Sequence, residues 1–401
     1  MTAAALTDDE IAAARAATPG CMTDPALRVV HLNHAGSSLP TQRVLDTQLD
    51  HLRLEATIGG YEAAAAAAAS RRAVAASIAA MIGADPSEIA RTEHATAAWN
   101  AAFWSVPMEP GQRILVHDQE YGANIVAFLH AAATRGVFID RVASDGAGQI
   151  DLDDLERRLG TGTDVALVSL THVPTNGGLV NPAAEVGRLA RAAGVPFLLD
   201  ACQSVGQLHI DVDEIGCDFL SATGRKYLRG PRGTGFLYVR SSILDRVTPS
   251  QPDHHGAVLV AGDRFEWAAG ARRFEYWEHS VAGWLALGAA VEEARAIGLD
   301  RIEVTVAGRA EQLRAMLADA GLVVHDDGVQ RCGIVTASSP STDAETLRLR
   351  LADHRVNVTT TLADSSRWDV DRRGLPTMVR LSVHYTTTVE ELEHAVAVLA
   401  A

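Results

Sequence analysis

Of the 35 lysines and arginines in this 401-residue chain, a single one is lysine, Lys226. Every other is an arginine, whose guanidinium stays protonated in proteins. A solvated face or a salt bridge can use either residue. Chemistry that needs a neutral amine requires lysine, because burial and neighbouring charges can pull its pKa down. Lys226 is therefore the candidate nucleophile, with Schiff-base formation to a carbonyl the leading use. The bland alternative is drift in an Ala/Arg-rich composition, and the neighbours of Lys226 decide between the two.

Upstream, Pro196-Phe-Leu-Leu-Asp200-Ala-Cys-Gln203 ends an apolar run in a carboxylate. An Asp at the carboxyl end of a parallel strand lies where open α/β sheets place their ligands. Around the lysine the chain reads Asp218-Phe-Leu-Ser-Ala-Thr-Gly-Arg-Lys226-Tyr-Leu-Arg-Gly-Pro-Arg-Gly-Thr-Gly-Phe-Leu-Tyr-Val239. A strand feeds a Thr-Gly turn, then the lysine, a Gly/Pro loop and a second strand. Amine and carboxylate together suit pyridoxal phosphate. The amine forms the Schiff base, and the carboxylate keeps the pyridine nitrogen protonated so that the ring can act as an electron sink.

The elements that must position these residues follow from the apolar runs. Arg113–Val116, Val165–Leu170, Pro196–Leu199, Phe219–Ala222 and Gly235–Val239 read as strands, with helical patterns such as Asn124–Thr134 and Ala184–Ala193 between several of them. Alternating strands and helices predict an α/β fold with a mainly parallel sheet. The last two runs are too close for a crossover helix, so an antiparallel strand is admitted there. Beyond residue 290 the pattern becomes that of a smaller α+β unit, with helices Asp300–Ala320, Asp343–His354 and Val389–Leu399 and strands Gly333–Ala337 and Met378–Val383. Seven successive alanines lie within Glu62–Ala80, which reads as helix because alanine is the strongest helix former.

A net charge of −15 argues against nucleic acid or anionic membrane as partner. No apolar stretch reaches the ~18 residues of a membrane span. The first thirty residues lack the pattern of a signal peptide. Four scattered cysteines (Cys21, Cys202, Cys217, Cys332) show no metal spacing and fit a reduced, cytoplasmic setting. His254-His255 has no accompanying carboxylate or thiol pattern, so no metal site is read.

With these segments in view, the chain resembles class V of the pyridoxal-phosphate aminotransferase fold, the group that holds cysteine desulfurases, kynureninase and isopenicillin N epimerase. The motifs occur in family order from Val30 to Ala401. The resemblance implies pyridoxal 5'-phosphate as cofactor and fold type I: a large domain over 24–290 with a seven-stranded, mainly parallel sheet, and a small one from 1–23 and 291–401. It also implies a homodimer with shared active sites.

Residue by residue, His31-Leu-Asn-His-Ala-Gly-Ser-Ser38 matches a segment on the substrate side, giving Asn33 and Gly36. Arg91-Thr-Glu-His-Ala-Thr matches the phosphate cup, giving Ala95 and Thr96 at a helix start. His117-Asp-Gln-Glu-Tyr-Gly-Ala-Asn124 puts Tyr121 on the pyridine ring, as in the epimerase branch; desulfurases have histidine there. Thr171-His-Val-Pro-Thr-Asn-Gly-Gly-Leu-Val-Asn-Pro182 supplies the contact to the phenolate oxygen through Thr175, with Asn176 the alternative, and Gln203 reaches the same oxygen. Thr223 and Arg225 are implied phosphate contacts. Arg273-Phe-Glu-Tyr-Trp-Glu-His-Ser280 matches a segment that reaches the neighbouring subunit's phosphate, with Trp277 and Glu278 replacing the family's Gly-Thr. Tyr61 falls near a substrate loop, and Arg380 on the arginine that holds the substrate carboxylate.

Desulfurases carry a mobile cysteine before that arginine. Here Val356-Asn-Val-Thr-Thr-Thr-Leu-Ala-Asp-Ser-Ser-Arg-Trp368 holds none, Cys332 reads as core, and a second carboxylate arginine is missing, with Thr359 near its place and Arg367 the nearest substitute. The expected reaction is β-elimination from a cysteine-type amino acid or conjugate by a carbon–sulfur lyase, with Lys226 also shuttling protons. Aminotransfer or epimerisation is the alternative, and a non-catalytic cofactor-fold binding protein is the alternative of another class. His384 and Tyr385 read equally as substrate neighbours or as packing.

Overall fold

The computed structural model describes residues 3–22, 29–160 and 164–401. Its centre is a seven-stranded sheet of β1 (Ile89–Thr92), β2 (Arg113–His117), β3 (Phe138–Val142), β4 (Val165–Thr171), β5 (Phe197–Asp200), β6 (Phe219–Thr223) and β7 (Gly235–Val239). Across the sheet they run β1-β7-β6-β5-β4-β2-β3. β7 is antiparallel to both neighbours, and the other pairs are parallel. This is the expected α/β class, and the admitted antiparallel strand is β7.

Side chains alternate across a strand, so a sheet buried on both faces needs apolar residues at consecutive positions. β4 is buried along its whole length. Leu115, Leu199 and Leu220 enter one core cluster, while their neighbours Ile114, Leu198 and Phe219 enter another. The ligand side is set by strand direction: Thr171, Asp200 and Thr223 all stand at carboxyl ends.

The C-terminal unit has an antiparallel sheet ordered Val323–Val324, Ile334–Ser338, Val379–Ser382, Thr359–Thr360. Helices Leu299–Asp319, Ala344–Asp353 and Val389–Ala400 accompany it. The N-terminal helix Asp8–Ala16 joins it through Arg15, which makes two hydrogen bonds to Glu391 at 2.9 and 2.8 Å. The expected boundary between residues 23 and 24 lies outside the described residues, and helix Val281–Ile297 runs through the one at 290. The alanine-rich stretch is two helices, Gly60–Ala66 and Ala68–Ile82, bent by 60°. Among the described residues no single helix is long and apolar enough to cross a membrane.

Candidate active site

The loops at the carboxyl ends of the strands enclose a cleft of about 350 Å³. Ala95, Thr96, Tyr121, Thr175, Asp200, Gln203, Thr223, Arg225 and Lys226, nine residues expected to meet the cofactor, line it. They come from separate stretches of chain, and the sheet brings them together.

Lys226 follows β6 and is buried. Burial pulls its amine below the usual lysine range, and the charges of Arg225 and Arg380 push the same way, against Cys202 and Asp200. The Lys226 loop is held from below and behind. Gly206 has φ +95°, and a Cβ there would stand 2.6 Å from the backbone of Tyr227 and Leu228. Arg229, itself at φ 63°, bonds the Leu39 carbonyl at 2.9 Å, the Tyr385 hydroxyl at 2.7 Å and the Thr18 hydroxyl.

Asp200 ends β5, and both of its oxygens are held. Oδ1 accepts from the Cys202 N–H and Oδ2 from the Asn124 side-chain amide, each at 3.0 Å. Burial raises its pKa, while Asn124, the Cys202 N–H and Lys226 pull it back. Gln203 donates to the Ala35 carbonyl at 3.2 Å and leaves its buried Oε1 without a partner. Thr175 Oγ1 accepts from Arg380 at 2.9 Å. Arg380 is buried on an interior strand of the small sheet, so it is no edge-strand surface charge. Its Nε has no partner.

At the opposite end, helix Ala95–Ser105 opens onto the cleft with Ala95 and Thr96. A helix start leaves N–H groups without intrahelical partners. The His94 ring takes that of Ala97 at 3.0 Å, and Ala95 and Thr96 remain at a positive helix end beside Arg225 and Arg232. Arg225 also donates to the Gly36 carbonyl, tying the Asn33–Gly36 segment to the cleft. Asn33 Oδ1 is buried and unpartnered.

Other expected residues go elsewhere. Asn176 is not among the lining residues; its amide donates to the Leu362 carbonyl at 3.2 Å, which straps the loop before Arg380 onto the large unit. A Cβ on Gly122 would stand 2.2 Å from the Asp364 carbonyl, so the same loop lies directly against the chain beside Tyr121. Trp277 and Tyr61 line a second, separate cleft of about 1070 Å³ with Glu278, Arg71, Arg272 and His255. Trp277 is half-exposed, stacks on His254, and does not reach the Lys226 cleft of its own chain. His255 bonds Glu275 at 3.1 Å. Arg367 pairs with Asp371 on the surface. His384 is fully buried against the Tyr227 carbonyl, so packing accounts for it, and Cys332 is core as expected. No group of three or more metal-ligating side chains occurs among the described residues.

Two residues escaped sequence reasoning. Cys202 lines the cleft beside Lys226; its signal was its place between Asp200 and Gln203. Burial raises its thiol pKa, so it stands there protonated. Glu120 is fully buried behind the cleft, and the signal was its spacing of four from Asn124.

The chain matches the aminotransferase class-V family over residues 30–394. It belongs to that family. Among curated relatives, a probable cysteine desulfurase of Methanothermobacter thermautotrophicus is 26% identical over 91% of this chain and 92% of its own. A probable hercynylcysteine sulfoxide lyase of Mycobacterium tuberculosis is 29% identical over 92% and 89%. The isopenicillin N epimerase of Streptomyces clavuligerus is 29% identical over 80% and 78%. In fold, the chain is similar to an apo cysteine desulfurase of Thermococcus onnurineus, with a TM-score of 0.89 at 22% identity over 99% of this chain and 98% of that one. Members of the class-V family work with pyridoxal phosphate, and the cleft has what that group requires: one buried lysine, a buried carboxylate, an unpartnered amide oxygen and a positive helix start.

Proposed function

We propose that this chain uses pyridoxal phosphate to eliminate a β-substituent, through its carbon–sulfur bond, from a cysteine-type amino acid or conjugate. The cofactor, when bound, supplies an electron sink for the carbanion left at Cα. Lys226 anchors it and, once its amine is free, takes the Cα proton; burial lowers that amine's pKa and so favours the neutral form a base requires. Asp200 holds the ring nitrogen, Gln203 and Thr175 the phenolate oxygen, and Tyr121 the ring face. Ala95, Thr96, Thr223 and Arg225 hold the phosphate. Arg380 fixes the substrate carboxylate with the N–H groups that Thr175 leaves free, and Asn33 and Gly36 border the substrate. Burial pushes the Tyr121 phenol up, so it keeps its proton at neutral pH and does not serve as a base.

The observation that carries elimination rather than sulfur transfer is the loop Leu362–Ser366. It has no cysteine and is strapped by Asn176 and packed on Gly122. Cys202 does not replace it, because a thiol whose pKa is raised stays protonated and is a poor nucleophile. Two relatives, by their names, act on carbon–sulfur bonds. The assembly we infer is a homodimer, supported by the exposed apolar residues Leu45, Leu49, Leu52 and Ile58 of helix Gln42–Ile58 and by exposed Tyr61, of which Leu52 and Tyr61 line the larger cleft. Trp277 and Tyr61 would then serve the neighbouring subunit's site. The two-unit division at residues 24 and 290 is part of the same reading.

The test is incubation with S-alkylcysteines and their sulfoxides, following ammonia and pyruvate. Release of both without an added keto acid is expected. Consumption of the substrate that needs an added keto acid, frees no ammonia and leaves the sulfur on the keto-acid product makes the chain an aminotransferase, and Cα deuterium exchange without release makes it an epimerase. A purified chain with no visible cofactor band, or a band unchanged in Lys226→Ala, overturns the catalytic reading altogether.

A further inference from the structure

Behind the cleft, four side chains from three elements form one chain of hydrogen bonds. Thr171 Oγ1 donates to Glu120 Oε2 at 2.8 Å. Asn124 Nδ2 donates to that same oxygen at 3.0 Å and to Asp200 Oδ2 at 3.0 Å. Thr171 and Asp200 are themselves paired across β4 and β5. Glu120 is 0% exposed, has no salt-bridge partner among the described residues, and leaves Oε1 without a hydrogen bond there.

A buried carboxylate without a counter-ion is costly, and a glutamine would fill the same volume without that cost. Glu120 differs from glutamine in what it offers. An ionised carboxylate only accepts, whereas an amide can turn and donate. Facing an acceptor on both sides, the Asn124 amide must present its nitrogen to both and cannot turn its oxygen toward Asp200.

We propose that Glu120 is a positioning residue, acting through Asn124 to hold the Asp200 carboxylate toward the cofactor's ring nitrogen. This rests on the assignment of Asp200 to that nitrogen. Burial, with Asp200's charge adding to it, lifts Glu120 to about 7; a proton taken up near neutral pH goes to the unpartnered Oε1, so Oε2 still accepts from Thr171 and Asn124 and the orientation of the amide is kept.

The test uses holoenzyme stripped of cofactor and titrated with pyridoxal phosphate, with thermal melting of each stripped variant alongside. Glu120→Gln should melt no lower than the parent chain, yet bind pyridoxal phosphate at least tenfold more weakly and shift the pH titration of its visible band. Asn124→Ala should give the same loss, and the double variant should be no worse than Asn124→Ala alone, since both act through one contact. Cofactor affinity within twofold of the parent in Glu120→Gln overturns the proposal. So does a melting temperature that falls together with affinity, which marks a structural role, or a double variant whose losses multiply. Failure of the underlying reading looks different: the parent chain itself would not take up pyridoxal phosphate.

Discussion

Arg380 donates through one nitrogen to both the carbonyl oxygen and Oγ1 of Thr175, at 3.0 and 2.9 Å. The bond joins strand Val379–Ser382 of the small unit to the loop after β4 of the large one, so the guanidinium proposed to take the substrate carboxylate is tied to a residue that lines the cleft. Burial lowers the Arg380 pKa to about 10, which leaves it charged at neutral pH. Arg380→Lys keeps a charge but loses the planar fork, and a lysine that reaches Thr175 has little left for a substrate carboxylate. KM for the amino acid should rise roughly 10- to 100-fold, a loss of about 1.4–2.7 kcal/mol, with a smaller change in kcat. Steady-state kinetics showing an unchanged KM would remove Arg380 from the substrate site.

Gly122 and Asn176 together hold the loop Leu362–Ser366 against the large unit, one by backbone contact and one by a hydrogen bond. Gly122→Ala places a methyl group at 2.2 Å from the Asp364 carbonyl, so the loop must move. Overpacking of this kind costs about 1–3 kcal/mol. Asn176→Ala removes one hydrogen bond and should cost about 0.5–1.5 kcal/mol. Both variants should be cut faster than the parent within Leu362–Ser366 by limited proteolysis, Gly122→Ala the more so. Equal cutting in all three would show that neither residue holds the loop.

How much of this was legible without a structure depends on burial. The five strands found by pattern are those with continuous apolar runs, as strands with both faces covered require. The two that escaped, Ile89–Thr92 and Phe138–Val142, are the sheet's edges; they keep partly exposed Arg91, Thr92, Asp140 and Arg141 and so lack the run. In the cleft, Lys226 and Asp200 stand out in the sequence by residue type alone, and the fold brings the two together. Glu120 does not, because its meaning lies in Thr171 and Asp200, which stand 51 and 80 positions away and meet it only through sheet register. The bond of Asn176 was out of reach for the same reason: its partner Leu362 lies 186 positions on.

Acid should unfold this protein through its buried histidines. Burial lowers His117 to about 3, His172 to about 4 and His384 to about 3, against an ordinary value of 6.5. A group depressed in the folded state is neutral there while the unfolded chain binds a proton. Its contribution is fully present above pH 6.5 and is lost as pH falls toward the folded value. Each histidine then costs up to about 1.4 kcal/mol per pH unit below 6.5. Glu120, raised from 4.5 to about 7, and Asp200, Asp118 and Asp218, also raised by burial, work in the opposite sense, while His31 and His34, lowered by burial, add to the three histidines. Denaturant midpoints should fall from pH 6.5 to 4.5, and His384→Gln should flatten that slope. A midpoint that holds or rises over this range would contradict the assignment.

Gly206 and Gly308 should respond to alanine with opposite signs. Gly206 combines a φ of +95° with backbone atoms of Tyr227 and Leu228 at 2.6 Å from a would-be Cβ. Alanine there is strained and overpacked at once, for a cost of about 2–4 kcal/mol. The displaced atoms adjoin Lys226, so the visible band of the lysine-linked cofactor should weaken along with melting temperature. Gly308 lies inside helix Leu299–Asp319 with nothing within 4 Å of a would-be Cβ. Alanine at that position should stabilise by about 0.5–1 kcal/mol and leave the band alone. Melting curves and absorbance spectra of the two variants, recorded side by side, check both halves. A Gly206→Ala chain with the parent's band and stability would mean that the backbone behind Lys226 yields without consequence, and that the lysine is not held from there.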